Sequence, residues 1–205
     1  MAGELNTDDV SVNLSCRAED LPGFNLVGNP YTHAIAYPAS DDLSAGYYLL
    51  NASGNAFDAT LATEPIAPSQ GFLVQATQAT TMTFTNTMPT LSRDLVPSLE
   101  IAVGDGKRSD KAYLVLGEGN SLEKISHLDE NAPMLYLRQG KTDCAIATMS
   151  ELPESVAVSF KAGTDGTYSL SVKADGIATD YMHLLDNKTG AEHDLLALPT
   201  YSFEA

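Results

Sequence analysis

The chain has 205 residues, 43% of them hydrophobic, and carries 27 acidic against 11 basic side chains for a formal net charge of -16. A field of that sign repels phosphate backbones and anionic lipid surfaces, which argues against nucleic-acid and membrane-surface binding. No apolar run reaches the roughly 18–20 residues that a helical membrane span needs, and Met1-Ala2-Gly3-Glu4-Leu5 has neither the basic start nor the apolar stretch of a signal peptide.

Taken in chain order, the periodicity is that of strands. Val10, Val12 and Leu14 alternate with Ser11 and Asn13. Phe24 to Val27 is an apolar strand that Gly28-Asn29-Pro30 turns sharply, since Asn tolerates left-handed backbone and Pro ends strand pairing. Tyr47-Tyr48 sends one ring to each face of its strand, so one ring is expected in a core and the other is free for a ligand. Leu49-Leu50 runs into the hairpin-type loop Asn51 to Asn55. Gly71-Phe72-Leu73-Val74 is apolar on consecutive positions, as a central strand covered on both faces must be. Met82 and Phe84 alternate with threonines.

Asn86 to Pro97 lacks periodicity and carries two prolines, so a domain boundary is expected there. A fresh run, Leu99 to Val103, follows it. Ser121 to Leu128 is the one helical candidate, with Leu122, Ile125 and Leu128 behind a Ser N-cap. Val156, Val158 and Phe160, then Tyr168, Leu170 and Val172, alternate again, and Asp165-Gly166 between them predicts a hairpin. Tyr181 to Leu185 leads into an Asx-started turn ending at Gly190. The expectation is an all-β chain of two tandem antiparallel β-sandwich domains, of jelly-roll or Ig-like type, with at most one short helix. The domains span residues 1–90, read as incomplete at the N-terminus, and 91–205, read as lacking a closing C-terminal strand.

Several strings together carry a resemblance. Gly23-Phe24-Asn25-Leu26-Val27-Gly28-Asn29-Pro30-Tyr31 resembles a signature of secreted Bacteroidetes proteins, and Ile66-Ala67-Pro68-Ser69-Gln70-Gly71-Phe72-Leu73-Val74 looks like the strand that follows it there. Gly166 to Leu170, Leu184 to Gly190 and Tyr201-Ser202-Phe203 are similar to a module near the C-terminus of large exported and surface proteins, often type IX secretion cargo. The resemblance implies a secreted or cell-surface location and β-sandwich modules of a longer polypeptide. It implies stalk, adhesive or accessory roles, with the rest of a larger polypeptide or a surface assembly as partner. The family pattern usually adds a closing strand after the one ending here, so a partner strand is expected to fill that sheet edge.

A search for chemistry finds no enzyme signature, and the expected catalytic, cofactor-binding and metal residues are none. His33, His127, His183 and His193 never pair at metal-ligand spacing; His183 reads as a solvent-side residue, and His193, between Glu192 and Asp194, is the best lone cation candidate. Gly104-Asp105-Gly106-Lys107-Arg108 breaks the phosphate-loop pattern at Ile101 and Arg108 and reads as a hairpin loop. Asp41-Asp42, Asp105 with Asp110, and Asp129-Glu130-Asn131 are oxygen-rich loops suited at most to weak surface calcium. Cys16 and Cys144 lack a CxxC partner and read as two buried free thiols, with a disulfide between the domains as the alternative. The leading functional expectation is a non-catalytic structural or adhesive module. The alternative is a carbohydrate-binding accessory domain using Tyr31, Tyr37, Tyr47 and Tyr48.

Overall fold

The computed structural model describes residues 5–17, 21–89 and 96–205, and every regular element among them is a strand. In the first half lie β1 (Val10–Leu14), β2 (Phe24–Gly28), β3 (Leu43–Leu50), β4 (Phe57–Leu61), β5 (Gly71–Ala76) and β6 (Thr80–Phe84). β1 pairs with β6 as a ribbon, and the other four form a sheet in the order β2-β5-β3-β4. The second half contains β7 (Ser98–Gly104), β8 (Ser109–Leu116), β9 (Leu122–Glu123), β10 (Met134–Gln139), β11 (Thr142–Met149) and β12 (Val158–Lys161). It continues with β13 (Thr167–Asp175), β14 (His183–Asp186), β15 (Ala191–Asp194) and β16 (Thr200–Glu204). Here one sheet runs β12-β10-β11-β8-β7-β13-β16 with β9 added on β11, and β14-β15 is a separate hairpin. The expected boundary between Asn86 and Pro97 falls partly outside the described residues, since 90–95 belong to neither half's description.

Alternation leaves every second side chain of β6 and of the first part of β13 exposed, whereas β3 and β5 feed cores on both faces, and three cores result. The first lies between the β1/β6 ribbon and the four-stranded sheet, where Met82 and Phe84 meet Tyr47, Phe72 and Val74. The second fills the inside of the larger sheet with Ala112, Leu114, Leu137, Tyr168 and Leu170. The third is built by both halves: Tyr48 and Ala59, with Phe24, Phe57 and Leu73 at its margin, pack against Val115, Leu122, Ile125, Ala145 and Ile146. The four-stranded sheet is thus covered on both faces, which explains the unbroken apolar run of β5.

Approach across this third core is close enough to constrain the backbone. A Cβ on Gly46 of β3 would collide with the Thr60 carbonyl and with the Ile146 side chain. Hydrogen bonds reinforce the contact: Ala45 N–H donates to Asn120 O at 2.7 Å, and Asn120 Nδ2 donates to Asp41 O at 2.7 Å.

Three sequence expectations are corrected. Ser121 to Leu128 is not a helix: Leu122–Glu123 pairs with β11, and Lys124 N–H extends that ladder to Asp143 O at 2.8 Å. Ser121 does not cap a helix, because its hydroxyl donates to Gln139 Oε1 and accepts from Thr148 N–H. A vacant strand position beside β11 overrides an i, i+3, i+6 pattern too short to nucleate a helix alone. Asp165-Gly166 does not close a hairpin either. β12 and β13 pair with different strands, and the connection arches from one end of the sheet order to the strand next to the other end. Phe160 then meets Tyr168 and Phe203, with ring centroids 5.0 and 5.1 Å away, so the sheet curls around its own core. Finally, the pairing is not purely antiparallel, since β11 runs parallel to β8 after the crossover through β9 and β10.

The Asn51–Asn55 and Asp186–Gly190 turns do close hairpins, joining β3 to β4 and β14 to β15. The loop Gly104–Arg108 likewise joins β7 to β8.

Ile146→Ala removes a fully buried side chain from the core that both halves share, and it is expected to cost about 2–5 kcal/mol. Leu26→Ala on β2, where the side chain is 76% exposed, is expected to change stability by no more than about 0.5 kcal/mol. Urea denaturation of the two variants checks the contrast.

Candidate functional site

The densest buried polar chemistry lies at the margin of the third core. Asp110 on β8 and Lys124, just after β9, have side chains only 3% and 1% exposed, with Lys124 Nζ 2.5 Å from Asp110 Oδ2. His127, 2% exposed, places Nε2 3.4 Å from Asp110 Oδ1. Its Nδ1 accepts the Phe57 N–H at 3.1 Å, which assigns the ring proton to Nε2, facing Asp110. Asp110 also accepts Leu135 N–H at 2.6 Å and Lys111 N–H at 2.8 Å.

Electrostatics follow from this geometry. Burial works to raise the pKa of Asp110, but His127, Lys124 and the Leu135 N–H outweigh it and hold the carboxyl below its ordinary value. Burial lowers that of Lys124, and Asp110 restores part of the loss. Asp58 on β4 is raised, chiefly by burial. The cluster therefore draws on both halves, with Asp58 and the Phe57 amide from one and Asp110, Lys124 and His127 from the other. Two further bonds span the same seam: Tyr48 OH donates to Glu123 O at 2.7 Å, and Glu123 N–H donates to Gln75 Oε1 at 2.9 Å.

Two clefts open along the junction. One, of about 290 Å³, is lined by Leu61, Glu64, Val96, Glu100, Tyr113 and Lys173. The other, of about 670 Å³, is lined by residues including Ser40, Leu43, Ala62, Val115 and Asn120. Asp110, Lys124 and His127 line neither of them.

The residues singled out in the sequence disperse. Tyr47 and Tyr48 are both buried, one in the first core and one in the third, because the sheet between them has two covered faces; neither ring is free for a ligand. Tyr31 and Tyr37 are buried as well. Tyr31 OH donates to Phe84 O at 2.8 Å, and Tyr37 stacks on Tyr47 with centroids 5.4 Å apart. Burial pushes the hydroxyls of Tyr37, Tyr47 and Tyr48 above their ordinary value.

Asn29 has negative φ, and its work is done by the side chain instead. Nδ2 donates to the carbonyls of His33, Ile66 and Ala67, while Oδ1 accepts Tyr31 N–H. Asn29 N–H donates to Gln70 O, and β2 pairs with β5, so the two strings Gly23–Tyr31 and Ile66–Val74 form one hydrogen-bonded unit.

The acidic loops are occupied by protein donors. Asp42 accepts Thr80 Oγ1, Asp105 accepts the Lys107 and Arg108 amides, and Asp129 accepts Arg108 Nε and Asn131 N–H. Asp110 lies far from solvent, in the cluster above. His193 places Nε2 2.8 Å from Leu198 O, whereas exposed His183 lies 2.7 Å from Glu192 and stacks on Tyr181. No group of three or more His, Cys, Asp or Glu side chains suited to a metal ion occurs among the described residues. Both cysteines are free; Cys144 is buried as expected, with burial and then Glu123 and Asp143 pushing its thiol up to about 11, but Cys16 is exposed. The cluster of Asp110, Lys124 and His127 escaped sequence reasoning because Lys124 and His127 sat in a segment with a helical pattern.

Searches against family models, curated proteins and solved structures returned no match.

Asp186 shows how an acidic turn residue stabilises its loop. Bonds from the Thr189 hydroxyl, the Lys188 N–H and the Tyr201 hydroxyl lower its pKa from the ordinary 3.8. A carboxyl that binds its proton less readily when folded contributes stability above its unfolded value, and loses that contribution as the pH falls through the folded one. Asp186→Asn is therefore expected to lose less stability than the wild type on acidification below 3.8. A urea-midpoint series against pH measures the difference.

Proposed function

We infer that the chain is a non-catalytic structural or adhesive module of an extracellular or cell-surface bacterial protein, whose function belongs to a larger polypeptide or surface assembly. The observation that carries this reading is the internal use of the polar groups that a site would need. Asn29, Tyr31, Tyr48 and Gln75 all bond to backbone across loops or across the junction, and Asp110 and Lys124 pair with each other beside His127, out of contact with solvent. In this reading the chain comprises two tandem sandwich units of jelly-roll or Ig-like kind, divided near residue 90 and pressed together over the third core. The strongly acidic surface keeps such a module soluble and repels its own copies. The resemblance of the Gly23–Tyr31 and Gly166–Phe203 strings to secreted Bacteroidetes modules supports export by a type IX route. The outer edge of β16, with no strand partner among the described residues, is where a continuing or partner strand would add.

A second reading, carbohydrate binding, has lost the buried tyrosines as its platform. One specific feature still favours it: Tyr181 is 67% exposed and stacks on His183 with centroids 4.3 Å apart, a flat surface of the kind that sugars pack against.

A glycan array probed with the purified chain separates the two readings. The structural reading predicts no saturable binding. Binding that disappears in Tyr181→Ala would establish the carbohydrate reading in its place.

A further inference from the structure

We propose that Lys124 and Asp110 are joined by an intramolecular isopeptide bond that the folded chain forms by itself. The pair meets the demands of an amine–carboxyl condensation. Nζ is in direct contact with Oδ2, and both side chains are almost wholly shielded from water. Fixing the two groups against each other replaces a bimolecular encounter with an intramolecular one, and excluding water removes the solvent that would favour the free acid and amine. The site lies between Ile125 of the shared core and Leu135 of the second core. The reactive forms, a neutral amine and a neutral acid, differ from the ion pair by one proton moved along the direct Nζ–Oδ2 contact.

The surrounding groups match the steps. Leu135 N–H donates to Oδ2 and Lys111 N–H to Oδ1, so backbone amides polarise the carboxyl and stabilise the oxyanion that forms as the Nζ lone pair attacks Cγ. The Cγ–Oδ1 bond then breaks. His127 Nε2–H, facing Oδ1 at 3.4 Å, is placed to stabilise the departing oxygen while the proton released by the amine passes directly to it. Oδ1 leaves as water, carrying one proton from the acid and one from the amine. Oδ2 remains as the amide oxygen on the Leu135 N–H. No oxidant or co-reactant is consumed. Asp58, whose pKa is raised chiefly by burial, is electrostatically coupled to His127, Asp110 and Lys124.

The bond would close a loop from β8 to the residue following β9. That loop and its flank carry Asn120, Glu123, Ile125 and His127, which make the contacts to the first half. A covalent tie there fixes the docking segment in place and removes freedom from the unfolded chain, as any cross-link does. It is also independent of whether the module is adhesive or purely structural.

Intact mass spectrometry of the purified wild-type chain decides the matter without relying on a variant that must fold. The expected mass is lower than the sequence mass by one water molecule. Proteolysis should yield a branched fragment joining the peptides of Asp110 and Lys124, and Asp110→Ala and Lys124→Arg should both run at full sequence mass. A wild-type chain at full sequence mass, or a water loss mapped to any other residue, overturns the proposal and leaves an ordinary buried ion pair.

Discussion

The contact between the outer face of β2-β5-β3-β4 and the strands β8, β9 and β11 is the constraint on which the other features depend. A small sheet that buries one face only would present polar residues on the other, and Tyr48, Ala59, Leu73 and Phe57 would then be misplaced. Covered on both sides, the same sequence is consistent. The cover brings Lys124 and His127 over β4, and both are desolvated as a result. Polar groups so buried need partners, and Asp110 meets Lys124 directly while two backbone amides bond its carboxyl. Hydrophobic burial and the polar cluster are therefore two parts of one junction, since neither side of it could be exposed without stranding the other.

Much of the strand content was legible because period-two alternation is a direct imprint of a covered and an uncovered face. The alternations at Val10–Leu14, Met82–Phe84 and Tyr168–Val172 all lie in strands, and the unbroken apolar run at Phe72–Val74 does mark a strand covered twice. Long-range choices were not legible. Nothing local in Ser121–Leu128 says that β11 has a vacant edge beside it, and nothing in Asp165-Gly166 distinguishes an arch from a hairpin. Gly163 is the better marker of the arch, because a Cβ there would strike the Asn131 backbone, but that contact exists only once the sheet has curled.

The same limit applied to the candidate site. Asp110 lies near the start of β8 whereas Lys124 and His127 follow β9, and charge in a sequence is read by default as solvated. A lysine and a histidine flanking Ile125, the one apolar position between them, were the available hint. The motifs that did stand out, Gly28-Asn29-Pro30-Tyr31 and Ser69-Gln70-Gly71, stood out for a folding reason. Asn29 ties three carbonyls together, and Ser69 adopts a positive φ of 55° in the turn that meets it. Residues with unusual backbone or side-chain duties make memorable strings whether or not they touch a ligand.

If the junction unites the chain, the two halves open together. Native-state amide hydrogen exchange measures this residue by residue. The slowest amides of β5 and of β11 are expected to exchange with the same opening free energy, and to be weakened equally by low urea. An opening of β2-β5-β3-β4 at markedly lower free energy, with β11 still fully protected, would contradict the claim that both halves rest on one shared core.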